Sequence, residues 1–366
     1  MKAAVIGLGF GDEGKGLVTN YLCSNTNPLV IRYSGGQQAG HTVVKDGVRH
    51  IFSNFGSGTL SGAATYWSKF CTVDPIGLVN ELQSLLDKGV HPLLFIDKAC
   101  PITTPLDVKH NQTLIRDIKN GTCGVGVGVT MEREANHYSL LIGDIAHYNV
   151  FMMKIKQIEK YYKIHGKIDL MRFLDCILKI KFNPHIKFVD KSPNSFNTIY
   201  EGSQGLLLDP DIGFFPHVTR SNVGTKNIIT KKNYSHLDLY LVTRAYQTRH
   251  GIGPMTNINI PHNILADENE TNTDHKYQGA FRRTLLDMDL LLYGMEKDPH
   301  IKYIKKRTLV ITCLDHIVNE YRYTHKGQIV FCNNELEFVD QIRSLLGFDS
   351  VLVSRSPESS KIERWI

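Results

Sequence analysis

The sequence predicts an α/β fold: a mostly parallel central sheet flanked by helices, opening on a P-loop-like phosphate loop. Three observations carry this. Residues 2–7 are small and β-branched, and they run into a glycine loop and then an apolar helical start at 17–22. Short strand-like runs alternate with helix-periodic stretches, the pattern of parallel sheets. Glycine-rich or polar loops follow strands at Gly7, Ser34, Glu201, Ala245 and Asp315, so they are expected to converge along one edge, where such sheets bind ligands.

The opening loop fits two phosphate motifs. Gly9-x-Gly11-x-x-Gly14 matches a dinucleotide fingerprint, and Gly9-x-x-x-x-Gly14-Lys15 matches the front of a P-loop. A dinucleotide site wants an acid about 20 positions on. The second strand, residues 29–33, carries Arg32 and no acid. Lys15 suits a phosphate chain better. A P-loop would continue with Ser or Thr to hold Mg²⁺, but residue 16 is Gly, so Asp12 inside the loop is the candidate metal anchor. A plain glycine turn between strand and helix remains the alternative.

The 366 residues fit one large or two medium domains, and 42% hydrophobic content supports a substantial core. No internal repeat, linker or obvious boundary divides them, so the chain is read as one catalytic domain, 1–366. The first strand begins almost at Met1 and no run approaches about 18 apolar residues, so neither signal peptide nor membrane span is expected. Seven scattered cysteines without a C-x-x-C pair suggest free thiols in a reducing cytoplasm. A net charge of +6 without long basic blocks does not imply nucleic-acid binding, but suits anionic small substrates.

In chain order, Gly35-Gly-Gln-Gln-Ala-Gly-His-Thr42 is a second glycine loop at a strand end, with His41 inside it. A lone loop histidine is usually structural; this setting makes a functional role equally plausible. Residues 43–52 read as a hairpin turning on Asp46-Gly47. An amphipathic helix is expected over 73–88, with Pro75 in its first turn, then a strand over 93–97. Residues 120–130 form a third glycine-rich segment, read either as a phosphate or ribose contact or as a flexible loop. Residues 151–181 read as a charged, peripheral helical stretch. Residues 197–205 are strand then turn, 237–245 a core strand ending in Tyr246-Gln-Thr-Arg-His-Gly-Ile-Gly-Pro254, and 308–314 a strand ending in Asp315. Arg282-Arg283 is a candidate carboxylate or phosphate clamp, or a surface pair. Residues 350–356 form a last short strand.

Taken together, these loops resemble the adenylosuccinate synthetase family. Gly11-Asp-Glu-Gly-Lys-Gly16 is similar to its opening loop, and residues 35–42 to its Gly-Gly-x-x-Ala-Gly-His-Thr signature. Gly121-Thr-Cys-Gly124, Tyr200-Glu-Gly-Ser-Gln-Gly205, Pro216-x-Val-Thr-x-Ser-Asn222, Thr248-Arg-x-Gly-x-Gly-Pro254 and Thr312-Cys-Leu-Asp315 follow in the family's order. The resemblance implies a C–N ligase that joins L-aspartate to C6 of a 6-oxopurine nucleotide at the expense of a nucleoside triphosphate and Mg²⁺. It implies Asp12 as general base, His41 at O6 and the γ-phosphate, and Gln204 near the base. It assigns Gly11, Glu13, Gly14, Lys15, Gly16, Gly40, Thr42 and Asp315 to the triphosphate, and Asp12 and Gly40 to the metal. Gln37, Gln38, Thr122, Cys123, Thr219, Asn272, Thr273, Arg282 and Arg283 are assigned to the substrates.

The departures fall around the substrate and donor-base pockets. Gln37-Gln38 replaces a His-Asn pair, Gln278-Gly-Ala-Phe-Arg-Arg-Thr-Leu-Leu-Asp287 replaces an arginine-rich aspartate loop, and Cys313 replaces the lysine of the guanine-reading motif. That pattern resembles the phage branch. It implies dGMP as substrate, ATP or dATP as donor, and N6-succino-2-amino-2′-deoxyadenylate as product, a precursor of 2-aminoadenine in phage DNA, made in the host cytoplasm. The alternatives are an enzyme acting on IMP with GTP, and a non-catalytic nucleotide-binding protein; a pure binder needs neither Asp12 nor His41. A Rossmann dehydrogenase is disfavoured by Lys15. The family resemblance also implies a homodimer in which a partner lends an arginine, at a position matching His137 here.

Overall fold

The computed structural model describes every residue except 25, 118–121, 165–167, 196, 230–235, 267–269, 271–273, 275–276 and 366. In chain order, the first half runs β1 (Lys2–Gly7), α1 (Lys15–Cys23), β2 (Leu29–Arg32), β3 (His41–Lys45), β4 (Val48–Phe52), β5 (Ala64–Trp67), α2 (Pro75–Asp87), β6 (Leu94–Asp97), α3 (Pro105–Asp117), α4 (Val127–Ala135), α5 (Tyr148–Tyr161), α6 (Met171–Lys181) and β7 (Ile186–Val189). The second half runs β8 (Thr198–Gly205), β9 (Asp238–Arg244), β10 (Tyr246–His250), β11 (Phe281–Asp287), α7 (Met288–Lys297), β12 (Arg307–Thr312), β13 (Tyr321–His325), β14 (Gln328–Cys332), α8 (Glu335–Leu346), β15 (Ser350–Val353) and β16 (Glu363–Arg364).

One ten-stranded sheet has the order β16-β15-β12-β9-β1-β8-β2-β5-β6-β7. All its pairings are parallel except β15 with β16. The neighbours β12, β9, β1, β8 and β2 therefore end on one edge, at Thr312, Arg244, Gly7, Gly205 and Arg32. This is the convergence expected from the sequence.

The period of two along β1 explains how both faces are buried. Ala3 and Val5 pack with Leu17, Val18 and Leu22 of α1. Ala4 and Ile6 pack on the other face, in a cluster that includes Met288 and Leu291 of α7 and Phe338 and Ile342 of α8. A second core joins Trp67, Leu94 and Ile96 to α2, α5 and α6. The start of α2 is set by Asp74, whose carboxylate accepts from the N–H groups of Ile76 and Gly77, with Pro75 at the first helical position. No described helix is long and apolar enough to cross a membrane.

The expected hairpin is β3–β4, with Asp46 and Gly47 both at positive φ. The other readings differ in detail. Within the glycine-rich segment, 120 and 121 lie outside the described residues, and the remainder is not a loop throughout. Gly126 adopts a left-handed conformation that starts α4 at Val127. The stretch 151–181 holds parts of two helices rather than one solvated unit, because Phe151, Ile155, Phe173 and Ile177 face the core. The polar run after β9 is itself a strand. β10 leaves the main sheet and pairs antiparallel with β11, in a four-stranded sheet ordered β10-β11-β13-β14. Its partner lies some thirty residues away, beyond the reach of local pattern.

Candidate active site

A cleft of about 1450 Å³ opens over the carboxyl edge of the central strands. The opening loop, residues 37–42, and the ends of β8, β9 and β12 supply its walls.

The opening loop is held by its own acid. Glu13 Oε1 accepts from Gly9 N at 3.0 Å and Gly11 N at 2.8 Å, and Glu13 Oε2 pairs with Lys15 Nζ at 2.5 Å. The carboxylate fits because Gly7 and Gly205 have no side chain: a Cβ on either would lie 2.2 Å from a Glu13 oxygen. Gly11, Asp12 and Gly14 all have positive φ, a run of left-handed residues of the kind that turns N–H groups into an anion-binding concavity. Thr312 Oγ1 donates to Glu13 O at 2.8 Å, which ties the end of β12 to the loop.

Gly16 has a steric reason to break the P-loop pattern. A Cβ there would lie 2.7 Å from His41 Cβ and 3.0 Å from Ser57 Oγ. The variant Gly16→Ser, which would restore the usual hydroxyl, is expected to displace His41. Overpacking of this kind costs about 1–3 kcal/mol, so the thermal midpoint should fall along with kcat. An active, equally stable Gly16→Ser enzyme would contradict this packing account.

His41 is fixed by Glu201. Its Nδ1 lies 2.5 Å from Glu201 Oε1, which assigns Nδ1 as donor and turns Nε2 toward Ser203 O at 3.3 Å. Glu201 also accepts from Ser57 N at 3.0 Å and from the Ser57 hydroxyl. Burial pushes the His41 imidazole below its ordinary value, Glu201 opposes this, and Arg32 and Lys15 add to the lowering. Burial alone would raise Glu201, but His41 and Arg32 outweigh it and hold the carboxyl at about 2. Arg32 sits opposite Glu201 in the β2–β8 register, and both are fully buried.

Asp12 sits on the cleft wall with its side chain 21% exposed, enough for a ligand to reach it. Its carboxylate meets His250 Nε2 at 3.3 Å, and its carbonyl accepts from Arg244 Nε at 2.5 Å. Burial raises its pKa, but His250, Arg244 and Lys15 more than offset that, leaving it below the usual carboxylate value. Asp12 is therefore ionised at neutral pH.

Of the residues singled out from the sequence, Gly11, Asp12, Gly14, Lys15, Gly16, Gln37, Gln38, Gly40, His41, Thr42, Thr122, Cys123, Gln204, Thr219 and Asp315 all line the cleft. Gln38 Oε1 is buried without a partner, an unmet acceptor of the kind a ligand donor would satisfy. Glu13 does not line it; it lies behind the loop. Arg282 and Arg283 do not line it either. Arg282 donates to Gly253 O at 2.6 Å, and the Arg283 guanidinium lies 5.1 Å from the Phe281 ring. Asn272 and Thr273 lie outside the described residues. His137 follows α4 and is not among the lining residues.

Arg244, Arg249, His250 and Glu201 were not picked out as site residues. The first three lie at the β9 end and along β10, inside the Thr248–Pro254 motif or just before it. Their signal was a core strand ending in arginine. The donors available to a metal are few. Among the described residues no three or more His, Cys, Asp or Glu side chains gather as a metal cage. Asp12 and Gly40 offer hard oxygens, which suits an Mg²⁺ that draws most of its ligands from phosphate and water.

Comparison with known proteins places the chain in a family and a fold. The family model for adenylosuccinate synthetase matches residues 4–330. The adenylosuccinate synthetase of Hahella chejuensis is 34% identical over 275 residues, covering 68% of this chain and 63% of that protein. That of Histophilus somni is 30% identical over 276 residues. The chain thus spans less than two thirds of the length of these curated relatives, 63% in each case. In fold, it is similar to the fully ligated adenylosuccinate synthetase of Plasmodium falciparum, with a TM-score of 0.77, 19% identity and 99% coverage of both chains. The succinoaminodeoxyadenylate synthetase of cyanophage S-2L, bound to dGMP and dATP, gives a TM-score of 0.65 at 13% identity, covering 99% of this chain and 94% of that one. With the family model matching residues 4–330 and curated relatives at 30% identity or more, this chain belongs to the adenylosuccinate synthetase family.

Proposed function

We propose that the chain is a C–N ligase that activates a 6-oxopurine nucleotide by phosphorylating O6 and then replaces that oxygen with the amine of L-aspartate. The observation that carries this reading is the meeting in one cleft of an ionised carboxylate, Asp12, a carboxylate-held imidazole, His41, and a left-handed glycine loop with Lys15. Asp12 takes the N1 proton, which makes O6 nucleophilic. O6 attacks the γ-phosphorus, the bond to the β-phosphate oxygen breaks, and the diphosphate leaves. His41 acts here with a proton on Nε2 as well as on Nδ1, its charge balanced by Glu201, and Nε2–H donates to the charge that develops between O6 and the γ-phosphate. Lys15 and the loop N–H groups that face the cleft hold the phosphate chain, while Glu13 keeps the loop's shape from behind. The aspartate amine then adds at C6, loses a proton, and expels phosphate. Asp12 and Gly40 would hold Mg²⁺, which when bound neutralises phosphate charge. A homodimer in which a partner contributes near His137 belongs to the same proposal.

Two substrate sets compete. The relatives' shared name supports IMP, the nucleotide whose aspartate adduct is adenylosuccinate, and it favours this set over the dGMP expected from the sequence. Asp315 supports GTP, because a carboxylate can accept from guanine N1–H and its 2-amino group, whereas adenine presents an acceptor at N1. The dGMP reading, with ATP or dATP, draws on Gln37 and Gln38 and on the fold likeness to the cyanophage enzyme. A phosphate-release assay with Mg²⁺ and L-aspartate, comparing IMP plus GTP with dGMP plus ATP or dATP, tests both. Turnover with IMP and GTP is expected. Turnover with dGMP alone would move the chain to the second reading, and silence with every pair would overturn the ligase.

A further inference from the structure

We infer that His250 is a positioning residue for Asp12, holding the carboxylate of the general base in the cleft. This rests on the ligase reading for the role of Asp12. The reasoning starts from the loop. Asp12 is a non-glycine residue at φ 62, next to Gly11 at φ 95 and two residues before Gly14 at φ 95. Nothing in such a run fixes where its side chain points. Two residues from one corner of the fold do so instead. Arg244, the last residue of β9, donates to the Asp12 carbonyl at 2.5 Å and pins the backbone. His250, the last residue of β10, places Nε2 3.3 Å from Asp12 Oδ2 and holds the side chain.

His250 is itself held in place. Its ring packs on Phe281 with centroids 4.7 Å apart, and β10 pairs with β11 so that His250 lies opposite Phe281. Its Nδ1 is buried with no partner. The ring's only polar side-chain contact among the described residues is therefore Asp12, so a role in some other hydrogen-bond network does not explain the histidine.

A positioning role predicts a loss in the chemical step and not in binding. His250→Ala is expected to lower kcat by about 30-fold while KM for the nucleotide changes less than about threefold, since misplacement of a base disturbs the reacting geometry and leaves substrate contacts intact. The conservative variant His250→Gln, whose amide nitrogen can reach the same carboxylate oxygen, is expected to recover kcat to within about fivefold of the parent enzyme. Thermal melting of both variants, at the parent midpoint, separates this from a folding defect. The inference is overturned if His250→Ala keeps the parent kcat, if the loss falls in KM, or if His250→Gln is as slow as His250→Ala. If the parent chain turns over no 6-oxopurine nucleotide, the ligase reading fails instead.

Discussion

Asp12→Asn is expected to lower kcat by about 10³-fold or more while leaving nucleotide binding within a few-fold of the parent. The amide has almost the same shape, so Gly11 and Gly14 keep their left-handed turn and Arg244 keeps its bond to the backbone carbonyl. What is lost is the acceptor for the N1 proton and the charge, though not the oxygen, that Asp12 would offer Mg²⁺. Without that acceptor, O6 stays a neutral carbonyl oxygen, too weak a nucleophile to attack phosphorus. Lys15 and the loop N–H groups, which hold the phosphates in this account, are untouched. Titration calorimetry with a non-hydrolysable triphosphate, beside steady-state kinetics, separates the two effects. Full activity in Asp12→Asn would remove this residue from the base role.

Glu201→Gln is expected to damage both stability and catalysis. Glu201 is fully buried, and its carboxylate serves His41 Nδ1, Ser57 N and the Ser57 hydroxyl, with Arg32 opposite on β2. Arg32 is also fully buried with two guanidinium nitrogens without a hydrogen-bond partner, and its charge acts on Glu201 after that of His41. Removing one member of a buried pair costs about 3–5 kcal/mol, which lowers the melting midpoint by roughly 5 °C or more at this chain length. The imidazole also loses the acceptor that sets its tautomer, and kcat should fall by about 10²-fold. The pH dependence has a definite sign. Glu201 is held at about 2, well below its ordinary value, so it contributes stability that is complete above the ordinary glutamate range and is lost as pH falls toward 2. Glu201→Gln should therefore show a shallower loss of stability over that acid range than the parent chain. Identical acid profiles would contradict the assignment.

The sequence carried the sheet and the cleft further than the details around them. The five loops expected to converge do so because parallel strands must end on one edge, and that rule needs only strand order and chain direction. Lys15 and Asp12 were legible from the phosphate-loop pattern that holds them, whereas the role of His41 came only from the family resemblance. Glu201 was quoted only as part of a motif, since nothing local says that a strand glutamate will meet a histidine 160 residues away. Arg249 and His250 were misread as loop because β10 takes its partner from β11, which begins only at Phe281. Arg282 and Arg283 were legible as an arginine pair but not in direction. Pairing with β10 sets Arg282 opposite Arg249: Arg249 lines the cleft while donating to the Pro254 and His217 carbonyls, whereas Arg282, which does not line it, donates to the Gly253 carbonyl.

The central claim is that O6 of the nucleotide is phosphorylated before aspartate replaces it. The most direct measurement is to supply the nucleotide labelled with ¹⁸O at the 6-position, together with Mg²⁺, L-aspartate and the triphosphate donor, and to read the released inorganic phosphate by mass spectrometry. Phosphate carrying one ¹⁸O atom per turnover is the predicted result, since the C6–O bond breaks and that oxygen leaves on phosphorus. Unlabelled phosphate formed alongside the aspartate adduct would contradict it, because the oxygen would then have left C6 by a route that does not pass through a 6-phosphoryl nucleotide.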